Sequence, residues 1–305
     1  MLCAVVAIAW NSHAIAQAGP ASKEVHREPA PYAREQSSIA DPGLAQREAE
    51  LREKIAGQPG SPNLRYQLAS VLRQEGKPRE SLDIYTEAAR SRVPTAGELR
   101  SVALDYVLLN DYEDAIRWLE RGLKMEPNNV DLLYSLGRCY YSKDRYVDAG
   151  KMYERVLAVE PTHLKAEENL GLVFDATNNP EAAEEALRKA AAWAAGENNN
   201  EWPFLDLGGF LLDRDRAAEA IDPLRTAVGI RSTCAVCHEK LGRALLAAND
   251  LPGSIAELEE ATRLDPNDPK VHYELGRALR QAGQTEHAKQ EFATSQKLYS
   301  AHSQE

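Results

Sequence analysis

Cys234, Cys237 and His238 are the residues of this chain whose types and spacing could do chemistry, because they read Cys-x-x-Cys-His. In this spacing two thiols can attach the vinyl groups of a covalent haem while the histidine supplies an axial ligand to the iron. The two thiols could instead act as a redox pair, or close a structural disulfide in an oxidising compartment. The elements that carry the motif must decide between these chemistries.

Other catalytic or metal-binding motifs are absent from the sequence. It contains no Gly-rich phosphate loop, no H-E-x-x-H zinc pattern and no G-x-S-x-G nucleophile elbow, and no two histidines stand four residues apart. We therefore expect neither an enzyme nor a metal site. The formal net charge of −11 disfavours a general nucleic-acid binder, because such proteins need positive charge against the phosphate backbone.

A period of 34 residues organises most of the chain. A Leu-Gly pair or its equivalent recurs with spacings of 34, 34, 34, 37, 34 and 34, and the single 37 coincides with three asparagines at 198–200. The pairs are Leu68-Ala69, Val102-Ala103, Leu136-Gly137, Leu170-Gly171, Leu207-Gly208, Leu241-Gly242 and Leu275-Gly276. Such a period is the signature of a repeat architecture.

Further positions fall into the same register. If the pair occupies repeat positions 7 and 8, position 20 is always small and position 24 always bulky. The pattern resembles the tetratricopeptide repeat, a helix-turn-helix unit of this length. The resemblance implies an all-α, right-handed α-solenoid, in which small residues let paired helices approach and bulky ones fill the space between them.

The repeat register divides the chain into predicted segments. Seven repeats are expected over 62–299, preceded by a capping half-repeat helix at 43–61 and followed by a frayed tail at 300–305. The individual repeats are 62–95, 96–129, 130–163, 164–200, 201–234, 235–268 and 269–299.

The resemblance also implies that the first helices line a concave groove, with positions 2, 5, 9 and 12 facing it. Tyr and Arg, the residue types enriched at binding hot spots, occupy several of these positions: Tyr66, Tyr134, Arg138, Tyr141, Arg243, Tyr273 and Arg277. We predict that they bind a peptide or protein segment, and that the chain is an interaction scaffold or adaptor. The alternative is that the arginines pair with acidic neighbours such as Glu239 and Glu274, in surface ion pairs worth about 0 to 1 kcal/mol.

The register also bears on the Cys-x-x-Cys-His motif. Cys237 and His238 take repeat positions 3 and 4, His272 takes position 4 of the next repeat, and a haem would have to wedge into the start of a first helix. We therefore expect no cofactor. A c-type haem or thiol-redox carrier that uses Cys234, Cys237 and His238 is the alternative function.

The N-terminal residues predict export. A mostly apolar run at 2–10 precedes the small-x-small site Ala16-Gln17-Ala18, so residues 1–18 predict a signal peptide and 19–42 a flexible linker. No apolar stretch reaches the roughly 20 residues that a transmembrane helix needs. We expect an exported bacterial protein, periplasmic or secreted. A buried N-terminal helix is the alternative, since no Lys or Arg precedes Lys23.

Overall fold

The computed structural model describes residues 43–196 and 199–302, and every regular element in this part of the chain is an α-helix. The fold class predicted from the sequence, an all-α solenoid of helix-turn-helix repeats, is confirmed. The predicted signal peptide at 1–18, the linker at 19–42, part of the inserted asparagine segment and the end of the tail lie outside the described residues.

Fifteen helices lie in the described residues and form two compact units. The unit up to Asn179 contains α1 (Leu44–Gly57), α2 (Pro62–Gln74), α3 (Pro78–Ala89), α4 (Ala96–Leu108), α5 (Tyr112–Met125), α6 (Val130–Ser142), α7 (Tyr146–Val159) and α8 (Leu164–Ala176). The unit from Pro180 contains α9 (Pro180–Ala194), α10 (Trp202–Leu212), α11 (Ala217–Ile230), α12 (Ala235–Ala247), α13 (Leu251–Leu264), α14 (Pro269–Gln281) and α15 (Thr285–His302). We call these the first and second units; the division falls inside the predicted fourth repeat.

Each repeat joins a first helix to a second helix through a tight turn. One residue in each turn, at repeat position 15, has a left-handed backbone that Gly adopts freely and that Asn and Asp tolerate. These residues are Gly76, Asn110, Asp144, Asn178, Asp215, Asn249 and Gly283, with φ between 58° and 80°. The next amide donates back to a carbonyl five residues earlier, as from Lys77 to Leu72 at 2.8 Å, and so ends the first helix.

Side-chain caps set several helix starts. Asp111, Asn129 and Asp250 each accept a hydrogen bond from a backbone amide in the first turn of the helix that follows. Thr95 and Glu98 form a reciprocal capping box at the start of α4. These polar residues at fixed distances before apolar runs are the local reason why the chain breaks into helices of similar length.

Small residues at position 8 allow the two helices of a repeat to pack closely. A Cβ on Gly137 would lie 2.6 Å from Tyr153, whose side chain is fully buried, and a Cβ on Gly242 would lie 2.6 Å from Leu258. The hydroxyl of Ser254, at position 20, donates to the carbonyl of Gly242 at 2.8 Å. Helix pairing in α6–α7 and α12–α13 therefore depends on glycine at the contact.

Helix α1 packs against α2 and buries Leu44, and a surface ion pair joins α1 to the turn that follows α2. The Glu48 carboxylate accepts a hydrogen bond from Lys77 at 2.9 Å. Hydrogen bonds from Lys77 and Arg52 lower the pKa of Glu48 to about 2. None of the described helices is long and apolar enough to cross a bilayer.

Candidate functional site

The seven predicted binding residues differ widely in exposure. Tyr66 and Arg138 are 4% and 3% exposed, whereas Tyr273 is 48% exposed and the Arg277 side chain 45%. Tyr134, Tyr141 and Arg243 are half-buried. The two residues with most accessible surface, Tyr273 and Arg277, therefore both lie on α14 of the second unit.

Tyr66 is held inside the first unit. Its hydroxyl donates to the carbonyl of Arg92 at 2.8 Å, and the Arg92 guanidinium lies 4.4 Å from the ring centroid. Burial raises the pKa of the Tyr66 phenol, because the charged phenolate is poorly solvated there. Little of its surface is open to a partner.

Tyr134 and Arg138 on α6 contact each other and neighbouring helices. The Arg138 guanidinium lies 5.7 Å from the Tyr134 ring centroid, and the amide nitrogen of Asn169 on α8 donates to the Tyr134 hydroxyl at 3.3 Å. Tyr141, near the end of α6, packs edge-on against Tyr146 with centroids 5.2 Å apart. In these residues the predicted groove positions contribute to packing within the unit.

The first unit also buries a carboxyl group that sequence reasoning missed. Asp105 on α4 is fully buried, and its Oδ2 lies 2.7 Å from the Ser81 hydroxyl. That hydroxyl is also 2.8 Å from the Ala69 carbonyl, to which it can donate its single proton if Asp105 is itself protonated. Desolvation raises the pKa of Asp105 to about 7. The sequence did carry a signal for this buried carboxyl group, because Asp105 stands at position 10, which the other repeats fill with apolar side chains.

On α12 and α14 the predicted arginines surround buried glutamates. The Glu239 carboxylate has a side chain only 3% exposed, and it pairs with Arg243 at 3.3 Å and with Lys270 at 3.2 Å. The exposed fractions of these two cations are 27% and 41%. The Glu239 carboxylate thus lies beneath Arg243 and Lys270, which face the solvent.

The last repeat repeats this arrangement. Glu274, with a side chain 10% exposed, accepts a hydrogen bond from Arg277 at 2.7 Å. We call Arg243, Lys270 and Arg277, with Glu239 and Glu274 beneath them, the cationic face. The ion pairs expected as the alternative role of these arginines are present, and each still leaves donor groups of its cation exposed.

A cleft of about 600 Å³ opens beside the cationic face, between α14 and α15. Its lining includes Tyr273, Arg280, Phe292 and Tyr299. The Arg280 guanidinium lies 5.4 Å from the Phe292 ring centroid, and Tyr273 packs against the same ring at 5.6 Å between centroids. Tyr273 therefore belongs to an aromatic cleft at the outer side of the last repeat. We call this surface the end face.

The residues of the Cys-x-x-Cys-His motif contact one another and their neighbours at the start of α12. Cys234 and Cys237 form a disulfide, and the Cys234 sulfur accepts a hydrogen bond from the Cys237 amide at the start of α12. His238 is buried, with Nδ1 2.6 Å from Glu257 and Nε2 3.0 Å from the Ser232 carbonyl. Both sulfurs and both ring nitrogens therefore have partners within the chain.

His272 shows that this histidine position is architectural. Its Nδ1 lies 2.6 Å from Glu291 and its Nε2 3.0 Å from the Pro266 carbonyl, as for His238 one repeat earlier, yet no cysteine accompanies it. Each histidine ties the start of a first helix to its second helix and to the preceding turn. Among the described residues no group of three or more His, Cys, Asp or Glu side chains could hold a metal ion.

Family models match three parts of the chain. A model described as TPR repeat matches residues 242–283, and two described as Tetratricopeptide repeat match 106–166 and, in two separate copies, 168–196 and 269–302. The chain is a tetratricopeptide repeat protein.

Curated relatives share only part of their length with this tetratricopeptide repeat protein. It is 28% identical over 186 residues to DnaJ protein P58IPK homolog B from Oryza sativa subsp. japonica, and the match covers 57% of this chain and 40% of the rice protein. The chain thus spans less than half of that relative.

Solved structures share the fold of this tetratricopeptide repeat protein. A chain of the APC/C hetero-tetramer Cut9-Hcn1 superposes with a TM-score of 0.61 at 16% identity, over 84% of this chain and 51% of that one. YrrB, described as a TPR protein with an unusual peptide-binding site, gives a TM-score of 0.50 at 16% identity, over 59% and 91% of the two chains.

Proposed function

We propose that this protein is an interaction scaffold that binds a peptide or protein segment on the cationic face of α12 and α14. The observation that carries the proposal is the layering of charge there: two buried glutamates lie under three partly exposed cations. The peptide-binding site named for YrrB, which shares the fold, supports a binding role for this type of structure.

The electrostatics of the cationic face favour an acidic partner. Three cations against two carboxylates leave a formal charge of +1 on a chain whose net charge is −11. Glu239 and Glu274 restrict the rotamers of their cations, so less side-chain entropy is lost when a partner binds. A partner carboxylate can accept charge-assisted hydrogen bonds from the exposed N–H groups of Arg243 and Arg277.

A random peptide library displayed on phage tests this proposal. We expect the selected peptides to be enriched in Asp and Glu and to lose most of their affinity for the variant R243A/R277A. The matched control is Arg263→Ala, which removes an exposed arginine paired with Glu260 on the second helix α13. Peptides that bind R243A/R277A as tightly as the unaltered chain would overturn the proposal.

We also infer a non-catalytic role without a bound cofactor. The sequence lacks the common catalytic and nucleotide-binding motifs, and the Cys-x-x-Cys-His residues are engaged in local structure. Nothing in the geometry favours the haem or redox alternative. Absorbance of the purified protein at the Soret wavelength of haem tests this inference; a band there would contradict it.

Export is a further proposal, supported by the apolar run at 2–10 and the site Ala16-Gln17-Ala18. We propose a mature chain that begins near Gly19 and acts in the periplasm or outside the cell. Intact mass spectrometry of the protein recovered from its source tests this directly. A mass that retains residues 1–18 would contradict export by this route.

A further inference from the structure

The end face of the last repeat is open where the equivalent faces of earlier repeats are covered. At repeat position 5, Leu205 and Glu239 are 0% and 2% exposed, while Tyr273 is 48% exposed. At position 24, Leu224 and Leu258 are fully buried, and in the earlier repeats the first helix of the next repeat lies against this surface. The end face thus corresponds to the surface on which the first helix of a next repeat would pack, and no described residue covers it.

Contacts within the first unit show which side chains of a first helix touch the repeat before it. Arg100, at position 5, donates to Ser135 at 3.0 Å and pairs with Asp131 at 3.4 Å, which are positions 6 and 2 of the following helix. One repeat later, Tyr134 at position 5 accepts a hydrogen bond from Asn169 at position 6. A first helix therefore places polar side chains at its positions 2 and 6 against position 5 of the repeat before it.

The second unit follows the same rule and adds the apolar part. Glu239, at position 5, pairs with Lys270, which is position 2 of α14. The aliphatic stripe of α14, formed by Val271, Leu275 and Leu279, is 2 to 4% exposed. A helix that docks on the end face should thus carry aliphatic residues at positions 3, 7 and 11, with polar residues at 2 and 6.

The charge of the end face narrows the partner further. Among the residues that line the cleft, Arg280 is the one charged group; it is exposed and forms no ion pair within the described residues. Arg280 stands at position 12, seven residues or two helical turns after Tyr273. Position 2 of a first helix lies against position 5 of the repeat before it. Seven residues further along both helices, position 9 of the docking helix lies opposite Arg280 at position 12. An acidic residue there would complete an ion pair in a partly desolvated site.

We propose that the end face binds an amphipathic helix of a partner protein that carries an acidic residue at position 9. Its aliphatic stripe packs on Phe292 and between Tyr273 and Tyr299, and its acidic side chain pairs with Arg280. Arg277 stands between Tyr273 and Arg280 along α14 and so adjoins this surface, whereas Arg243 lies on α12 and belongs to the cationic face alone. The two surfaces can bind different parts of one partner or different partners.

A charge-reversal experiment tests this assignment. The probe is a stapled helical peptide with the sequence of residues 269–281 in which Arg277, at position 9, is replaced by Glu; the matched probe keeps Arg. Fluorescence anisotropy with the full chain should show about tenfold tighter binding of the Glu peptide. The protein variant R280E should reverse this preference, and Tyr299→Ala should weaken both peptides.

The control variant Arg243→Ala alters the cationic face on α12, away from Arg280, and should leave both peptide affinities unchanged, which separates this proposal from the proposed function. The assignment would be overturned if neither peptide bound, or if the R280E variant still preferred the Glu peptide. Sedimentation velocity of the chain alone supplies another test: self-association that Tyr299→Ala abolishes would assign the end face to a second copy instead of a partner helix.

Discussion

The first helices of the two units use the same repeat positions for different purposes. At position 9, Arg138 on α6 is 3% exposed and stacks near Tyr134, whereas the Arg277 side chain on α14 is 45% exposed above Glu274. At position 5, Tyr66 is buried with its hydroxyl bonded to a carbonyl, while Tyr273 is open at the end face. A groove position therefore identifies a side chain that can face a partner, and the neighbouring helices decide whether it does.

The largest effect expected from this contrast concerns the buried carboxyl group of the first unit. The pKa of Asp105 is raised from 3.8 to about 7 in the folded protein, so the folded state holds a proton that the unfolded state loses above about pH 4. The free energy of unfolding should then fall by about 1.4 kcal/mol per pH unit between about pH 4 and 7. Below and above this window the contribution of Asp105 should be constant.

The variant Asp105→Asn checks this expectation. Urea unfolding followed by circular dichroism should show it to be more stable than the unaltered chain at pH 8, by up to about 4 kcal/mol, with the difference vanishing near pH 4. Asp131→Asn is the control, because Asp131 is 72% exposed and should leave the pH profile unaltered. Parallel pH profiles for Asp105→Asn and the unaltered chain would show that Asp105 ionises normally.

A second pair of variants compares position 9 directly. Arg138→Ala should lower the free energy of unfolding by about 3 kcal/mol, because it removes a buried side chain packed near the Tyr134 ring and leaves a cavity. Arg277→Ala should change it by less than about 0.5 kcal/mol, as is usual for an exposed ion pair. Equal losses in the two variants, measured by urea unfolding, would remove the distinction between the units.

Glycine at position 8 offers a smaller contrast. An alanine Cβ at Gly137 would meet the fully buried Tyr153, and one at Gly276 would lie 2.7 Å from the partly exposed Phe292. Gly137→Ala should destabilise by about 2 kcal/mol, and Gly276→Ala by less than about 1 kcal/mol, because Phe292 can move toward the open end face. Thermal unfolding of both variants tests this order, and a greater loss at Gly276 would argue against an open end face.

The disulfide should have a smaller effect than Asp105, Arg138 or Gly137. Replacing the buried Cys234 and Cys237 by alanine removes two sulfur atoms and opens only a short loop, so we expect a loss of about 1 to 2 kcal/mol. Binding of peptides selected on the cationic face should be unchanged in calorimetric titrations. If the double variant lost peptide binding while still folded, the motif would have a role in recognition that its geometry does not indicate.

The period of the sequence was sufficient to predict the fold class, because small residues at position 8 and bulky ones at position 24 recur wherever two helices pair. The turn residues at position 15, such as Asn110 and Asn249, carried a further signal in the sequence. Exposure could not be predicted in this way, since the burial of Tyr66 or Arg138 depends on contacts with residues elsewhere in the unit, such as Arg92 and Tyr134. Asp105 and the end face likewise depend on which neighbours are present.

We expect partners to bind on α12 and α14 and not on the equivalent helices of the first unit. A selected acidic peptide carrying a photo-activated cross-linker, bound to the full chain and mapped by mass spectrometry, tests this expectation most directly. We expect cross-links concentrated around Arg243, Lys270 and Arg277. Cross-links concentrated around Tyr134 and Tyr141 on α6 would contradict it.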